Sequence, residues 1–327
     1  MKGITIRFIL FLLTCSISFQ LQGQNCNCKK YLYVNDQVIN GVHKFELNES
    51  TGALSEISGP TGGLWYEGIN RPHGGSFDLN GFLYIGEKFR NAEIAADPIN
   101  NQANLKKLTC DGTLVDTFFF NDFDDGQFNN FVSDENILYV NGRDNNDIKA
   151  YDMCSGTFIG RLDYNLTGIL EDSDKNQNWE LFQGLDGNMY THERDYDTLI
   201  IFQIPYDASL YTDPATTTVD RYLTTELVST GEYYGMEQDE NGNWYVMKAD
   251  DIDTIFVLDP AGAIINFIPD PDPTGDTGFQ SGRGMEYCEE SGKLYVASGN
   301  GMCVAVIDAA TMMYESALSI PGGGGKD

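Results

Sequence analysis

Apolar residues in this chain fall in short runs rich in branched and aromatic types, broken every few positions by Gly, Asn and Asp. That pattern predicts strands joined by tight turns, with little helix. The stretch from Tyr234 to Phe267 shows the unit. Tyr234-Gly235-Met236-Glu237-Gln238 leads into the turn Asp239-Glu240-Asn241-Gly242 and then a second run, Asn243 to Met247. A polar loop, Lys248 to Asp253, precedes Thr254 to Leu258; the turn Asp259-Pro260-Ala261-Gly262 then leads to Ala263 to Phe267. Four short strands linked in this way form one meander.

The unit repeats. Tyr33, Tyr84, Tyr139, Tyr190, Tyr245 and Tyr295 stand in the matching phrases YLYV, GFLYIG, NILYVN, GNMYTH, GNWYVM and GKLYVA, spaced by 50 to 55 residues. A four-stranded meander at this period predicts an all-β fold, a six-bladed β-propeller of four-stranded antiparallel blades. A single blade cannot bury both of its faces, and stacking around an axis does so. The second repeat carries an insertion from Arg90 to Asn104, and the fourth a long fourth-strand region from Tyr206 to Leu223. The first repeat leaves no room for an innermost strand between Cys26 and Tyr31. The tail Pro321-Gly322-Gly323-Gly324-Gly325-Lys326-Asp327 matches Pro72-His73-Gly74-Gly75-Ser76-Phe77-Asp78 as P-x-G-G-x-x-D. The expectation is a ring closed by pairing of the N- and C-terminal segments; a chain that continues beyond Asp327 is the alternative.

Residues 1–23 read as a secretory signal peptide. Lys2 and Arg7 precede the apolar stretch Ile4 to Leu13, which is too short to span a bilayer, and Ser16 to Gly23 form a small polar exit. Cys15 after Leu12-Leu13-Thr14 leaves a lipoprotein alternative. Residues 24–327 contain no dividing linker and are expected to form one propeller domain, a monomer that is secreted, periplasmic or at the cell surface, with no membrane insertion once the signal is removed. The formal charge is −29 and becomes −31 without Lys2 and Arg7. Such a surface disfavours nucleic acid and anionic membranes, and favours cations or neutral ligands.

Six cysteines follow the signal: Cys26, Cys28, Cys110, Cys154, Cys288 and Cys303. In an exported chain an even number permits disulfides, with connectivity open. Zinc is disfavoured, because no paired C-x2-C units stand near a histidine.

The inner strands of a propeller line its channel, so candidate chemistry is sought there. Glu237 and Glu286 occupy matching Gly-Met-Glu triplets, and symmetry aims both at the axis. With Asn130 and Gln183 they would form an oxygen cage suited to Ca²⁺. His73 and His192 are the candidate general bases. No G-x-S-x-G elbow and no phosphate loop is present. The acidic run Glu171 to Asn178 lacks the Gly and Glu of a calcium loop and reads as solvated surface.

The phrases from Asp239 to Val246, from Glu289 to Val296 and from Val257 to Gly262, together with Phe45 to Leu54, resemble six-bladed propellers of the NHL and SMP-30/gluconolactonase type, over roughly Tyr31 to the C-terminus. That resemblance implies a divalent metal held in the channel by inner-strand residues, with Glu237, Glu286 and Asn130 in those roles. The E-G-P-x-W opening and the S-N-G motif of the lactonases are missing; Phe128-Asn129-Asn130-Phe131 stands near the latter. The signal segment resembles those of exported Bacteroidota proteins. Two functions are expected from these observations. The first is a binding module for a protein, glycan or small-molecule ligand. The second is a metal-dependent lactone or ester hydrolase.

Overall fold

The computed structural model describes residues within 31–320, outside the segments 37–38, 49, 60–63, 79–80, 88–103, 120–127, 135–136, 143–146, 153–156, 164–177, 194–197, 214, 216–218, 220, 227–231, 250–252, 273–277, 281, 283 and 299–302. The expected signal segment 1–23 and the tail 321–327 therefore lie outside the described residues, and so does the expected pairing of the chain ends.

The chain is all-β, with six four-stranded antiparallel blades in a ring and almost no helix. Blade one comprises β1 (Tyr31–Asp36), β2 (Gly41–Leu47), β3 (Leu54–Ile57) and β4 (Tyr66–Glu67). Blade two comprises β5 (Pro72–Phe77), β6 (Leu83–Glu87), β7 (Asn104–Leu108) and β8 (Leu114–Phe119). Blade three comprises β9 (Phe128–Asp134), β10 (Ile137–Gly142), β11 (Asp147–Asp152) and β12 (Phe158–Asp163). Blade four comprises β13 (Asn178–Gln183), β14 (Met189–Glu193), β15 (Thr198–Ile204) and β16 (Arg221–Glu226). Blade five comprises β17 (Glu232–Gln238), β18 (Trp244–Ala249), β19 (Thr254–Leu258) and β20 (Ile264–Pro269). Blade six comprises β21 (Gly284–Cys288), β22 (Lys293–Ala297), β23 (Cys303–Asp308) and β24 (Met313–Ser319).

Blades two to six pair in chain order from the inner strand outward. Blade one differs: β1 is its tyrosine strand, and both β3 and β4 pair with β2. The long fourth-strand region expected in blade four is two things. Its strand is only Arg221–Glu226. Before it, a short 3-10 turn at Ala208–Leu210 leads to Thr212, which pairs with Arg161 on the edge of blade three. That pairing covers an edge strand, which is a way to block unwanted association.

The core is divided into six clusters, one per seam. Val42, Trp65 and Leu83 join blades one and two; Tyr84, Leu105 and Val140 join two and three. Tyr139, Leu181 and Phe202 join three and four; Tyr190, Trp244 and Phe256 join four and five. Tyr245, Met285 and Leu294 join five and six, and Tyr295 packs with Phe45 and Val304 to close the ring between six and one. Each periodic tyrosine thus faces the next blade. Its hydroxyl is bonded in its own blade's turn, as Tyr84 to Asp78 Oδ2 at 3.0 Å and Tyr190 to Asp186 Oδ2 at 2.7 Å, or in the next blade, as Tyr295 to the Gly52 carbonyl at 2.9 Å across the closing seam.

Cys110 is disulfide-bonded, to a cysteine outside the described residues. Cys288 and Cys303 are buried thiols outside any disulfide, and Cys303 Sγ donates to the Gly278 carbonyl at 2.8 Å. Among the described residues no helix is long and apolar enough to cross a membrane.

Candidate functional site in the central channel

Each inner strand runs from the face that carries the long connections, here the loop face, to a tight turn on the opposite face. Cross-strand register therefore fixes the height of every inner residue. Opposite the periodic tyrosines stand Ser76, Val132, Phe182, Glu237 and Glu286. The two Gly-Met-Glu triplets do occupy equivalent places, and only blades five and six put a carboxylate at this height among the described strands.

The pair sits close. Glu237 accepts the Gln238 N–H at 2.9 Å and also the backbone N–H of Tyr287, the residue after Glu286. Glu237 is buried, whereas Glu286 opens to the channel although protein surrounds it. Burial holds the Glu237 carboxyl well above the usual carboxylate range, and the charge of Glu286 pushes it further; the two N–H donors pull the other way. Glu286 is itself pushed up, to about 7, by loss of solvation. Two carboxylates sharing a site resist double ionisation. No basic side chain among the described residues offsets either one. Such a pair can hold a proton near neutrality, or bind a cation in its place.

The other expected ligands stand elsewhere. Gln183 follows Phe182, so it takes the place of Gln238 and not that of Glu237. Its Nε2 donates to the Gly187 carbonyl at 3.3 Å, as Gln238 does to Gly242 at 3.5 Å, and both side chains staple the turn below them. Asn130 lies in β9, two residues nearer the loop face than Val132. Its side chain and that of His73 in β5 are outside the described residues. The donor set of Glu237 and Glu286 suits a hard cation in kind. In number it is short of the six to eight oxygens that Ca²⁺ takes, and no group of three His, Cys, Asp or Glu side chains forms among the described residues.

His192 does not face the channel. It lies two residues beyond Tyr190 on the same face of β14, fully buried in the seam toward Tyr233. Burial lowers its pKa to about 4, and an interaction with the Tyr233 backbone offsets this in part. A neutral imidazole without solvent access is a packing element here.

One carboxylate position escaped the sequence reading. Blade four has Gly184 where blade five has Asp239, yet Asp186 two residues later still reaches the tyrosine hydroxyl. Hydrogen bonds from Asn188 and Tyr190 hold Asp186 below its ordinary value against the cost of burial.

No protein-family model matches the chain, and no curated protein matches it. Many solved structures share its fold. A 6-phosphogluconolactonase candidate from Bacteroides fragilis aligns at 12% identity over 91% of this chain and 97% of its own, with a TM-score of 0.59. The periplasmic gluconolactonase of Pseudomonas aeruginosa aligns at 12% identity over 90% and 84%, with a TM-score of 0.53. The WD40 propeller domain of Doa1 aligns at 9% identity over 89% and 80%, with a TM-score of 0.52. At such identities the likeness concerns the fold alone, and it spans lactonase-like enzymes and a WD40 domain.

Proposed function

We propose that this propeller is a secreted or cell-surface binding module that takes a protein, glycan or small-molecule ligand at the loop-face mouth of its channel. One observation carries the reading. Five turns described on one face follow the same hydrogen-bond plan, whereas on the other face the connection 88–103 of blade two is far longer than its counterparts 143–146 and 194–197, and the connections between blades, such as 120–127, 164–177 and 227–231, differ in length. A rigid scaffold with divergent loops on one side is the usual division between support and recognition. The test is to screen the full chain on glycan and peptide arrays. A hit that persists in Asp111→Ala and Asp259→Ala, but is lost when 88–103 is replaced by a Gly-Ser turn, supports the reading. No hit, or a hit lost only with the turn-face changes, sinks it.

A second reading follows from the carboxylate pair, together with the NHL or SMP-30/gluconolactonase resemblance. Here the channel belongs to a metal-dependent lactone or ester hydrolase. Glu237 and Glu286 would hold the divalent cation, which when bound supplies Lewis-acid polarisation and an activated water. The chain's own part is to present two uncompensated carboxylates on one wall and to keep Glu237 oriented through the Gln238 and Tyr287 N–H groups. Calorimetric titration of EDTA-treated protein with Ca²⁺ decides it: binding lost in Glu237→Gln and in Glu286→Gln favours the hydrolase, and binding indifferent to both removes it.

A further inference from the structure

The outer strands of blades two to six share an irregularity. In β8 the pairs Lys107 with Asp116 and Leu108 with Leu114 leave Val115 as an extra residue. Ile159 in β12, Tyr222 in β16, Ile265 in β20 and Glu315 in β24 stand at the same place in their own strands. Such a bulge twists an edge strand and weakens it as a template for pairing. It also sets Val115, Ile159, Tyr222 and Ile265 on the outer wall, where all four are exposed.

One of these edges is already covered. Arg161 of β12 and Thr212 from blade four exchange both backbone hydrogen bonds, at 3.1 and 3.2 Å. Gly160 makes room for the approach, because a Cβ there would lie 2.4 Å from the Tyr211 carbonyl oxygen. Tyr211 packs into the seam against Tyr139, at a 5.3 Å centroid distance, and Arg161 lies 3.5 Å from Asp213. An extended segment, an apolar anchor and an ion pair together close this edge.

β20 has the same kind of edge without the cover. It is the last strand of its sheet, and among the described residues nothing pairs beyond it. Its sequence, Ile264-Ile265-Asn266-Phe267-Ile268-Pro269, has no charged residue, whereas β8, β12, β16 and β24 each carry at least one. Ile265 is 47% exposed and Phe267 49%, the latter edge-on to the buried Phe256 at 5.3 Å. An uncharged, apolar outer edge invites another strand. The surrounding charge selects which one. From Ala249 to Gly282 the chain has seven Asp and no Glu, Lys or Arg. A second copy of this chain, with its net charge of −29, is repelled from such an edge, and a basic segment is drawn to it.

We propose that the outer edge of β20 is a docking site for an extended segment of a partner protein, added as a fifth strand to blade five. The segment has apolar residues at alternate positions, to lie beside Ile265 and Phe267, and Lys or Arg between them. Asp259 and Asp272, which flank the strand, supply the opposite charge. This site is on the outer wall and is independent of the loop-face reading.

The experiment offers the full chain an octapeptide of alternating Lys and Val, with its Glu-Val counterpart as control. Fluorescence anisotropy reads affinity, and hydrogen exchange reads location. The expected result is binding of the Lys-Val peptide alone, with exchange slowed in β20 and unchanged in β8 and β24. Ile265→Thr combined with Phe267→Thr keeps strand propensity and should weaken binding about tenfold. Val115→Thr, the matching change on β8, should leave it unchanged, and melting temperatures should report that each variant folds. Equal binding of the two peptides, no binding, protection spread beyond β20, or affinity indifferent to the double change would each overturn the proposal. So would sedimentation showing that the chain alone dimerises with β20 protected, which would make a second copy the occupant.

Discussion

The two faces of this propeller are built differently from the same repeat. On the turn face the chain solves one problem repeatedly. Asp78, Thr109, Gly184, Asp239 and Asp259 each open a turn in which their N–H reaches a carbonyl four residues on and their carbonyl takes the N–H three residues on. In four of these turns a side-chain oxygen closes the loop as well: Asp78 to Phe82 N, Thr109 Oγ1 to Thr113 N, Asp239 to Asn243 N and Asp259 to Ala263 N. On the loop face the connection within blade two, 88–103, is far longer than its counterparts, the connections between blades vary in length, and the inner strands bulge in four blades. The lesson is that repetition marks where the fold is held, and the irregular face is the one proposed for recognition. The tyrosines that announce the fold are engaged in seams and turns.

That contrast makes predictions. The largest effect should come from a seam at the turn face. Trp244 is fully buried, with its ring edge-on to Tyr190 at a 4.9 Å centroid distance. Trp244→Ala should cost about 4 kcal/mol, read from the urea midpoint. A loss below about 1 kcal/mol would mean that the seams do not carry the scaffold.

Next is His192, at the loop end of a seam. Its folded pKa of about 4 lies below the unfolded value of about 6.5. The unfolded chain therefore binds more protons between those values. Stability should be full above pH 6.5 and fall by about 3 kcal/mol as pH drops to 4. His192→Gln should lack that portion of the acid loss. Parallel pH curves for the two proteins would show that the imidazole is solvated.

A smaller effect separates turn from channel directly. Gly242 has φ +77 and its added Cβ would meet Pro260 Cγ at 3.3 Å, whereas a Cβ on Gly284 would meet nothing within 4 Å. Gly242→Ala should destabilise by about 1 kcal/mol and Gly284→Ala by close to nothing. Equal melting temperatures for the two variants would contradict the assignment of strain to the turn face.

The smallest concerns Glu286, discounted because water reaches it. With its pKa raised to about 7, its contribution to stability is full below the ordinary carboxylate value and declines as pH rises through 7. Glu286→Gln should melt slightly higher than the parent at pH 8 and no differently at pH 4. A variant that melts lower at pH 8 would mean that the charged form is stabilised.

Much of the fold could be read from particular residues. The six tyrosines, the Asp-x-x-Gly turns and the short branched runs place most strands within a residue or two, because alternation and tight turns are local properties. Glu237 and Glu286 were also legible as neighbours, since equivalent residues in adjacent repeats must stand side by side. Gln183 was not. It is one residue past the Glu237-equivalent position, and one step along a strand exchanges its faces. Asp186 escaped because its carboxylate reaches Tyr190 from a different place in the turn. The segment around Ala208–Leu210 was read as strand because its apolar content does not say which blade it packs on; it covers the edge of blade three.

By itself, then, the sequence determined the period, the number of blades, the strand-and-turn order and the pairing of equivalent carboxylates, all of which follow from short-range chain geometry repeated six times. Only the tertiary structure decided which residues share a height in the channel, where the inner strands slip, which seam buries His192 and how the ring closes through Tyr295 on Gly52. Those outcomes depend on contacts between strands far apart in the chain, and a register slip of one residue leaves no local trace.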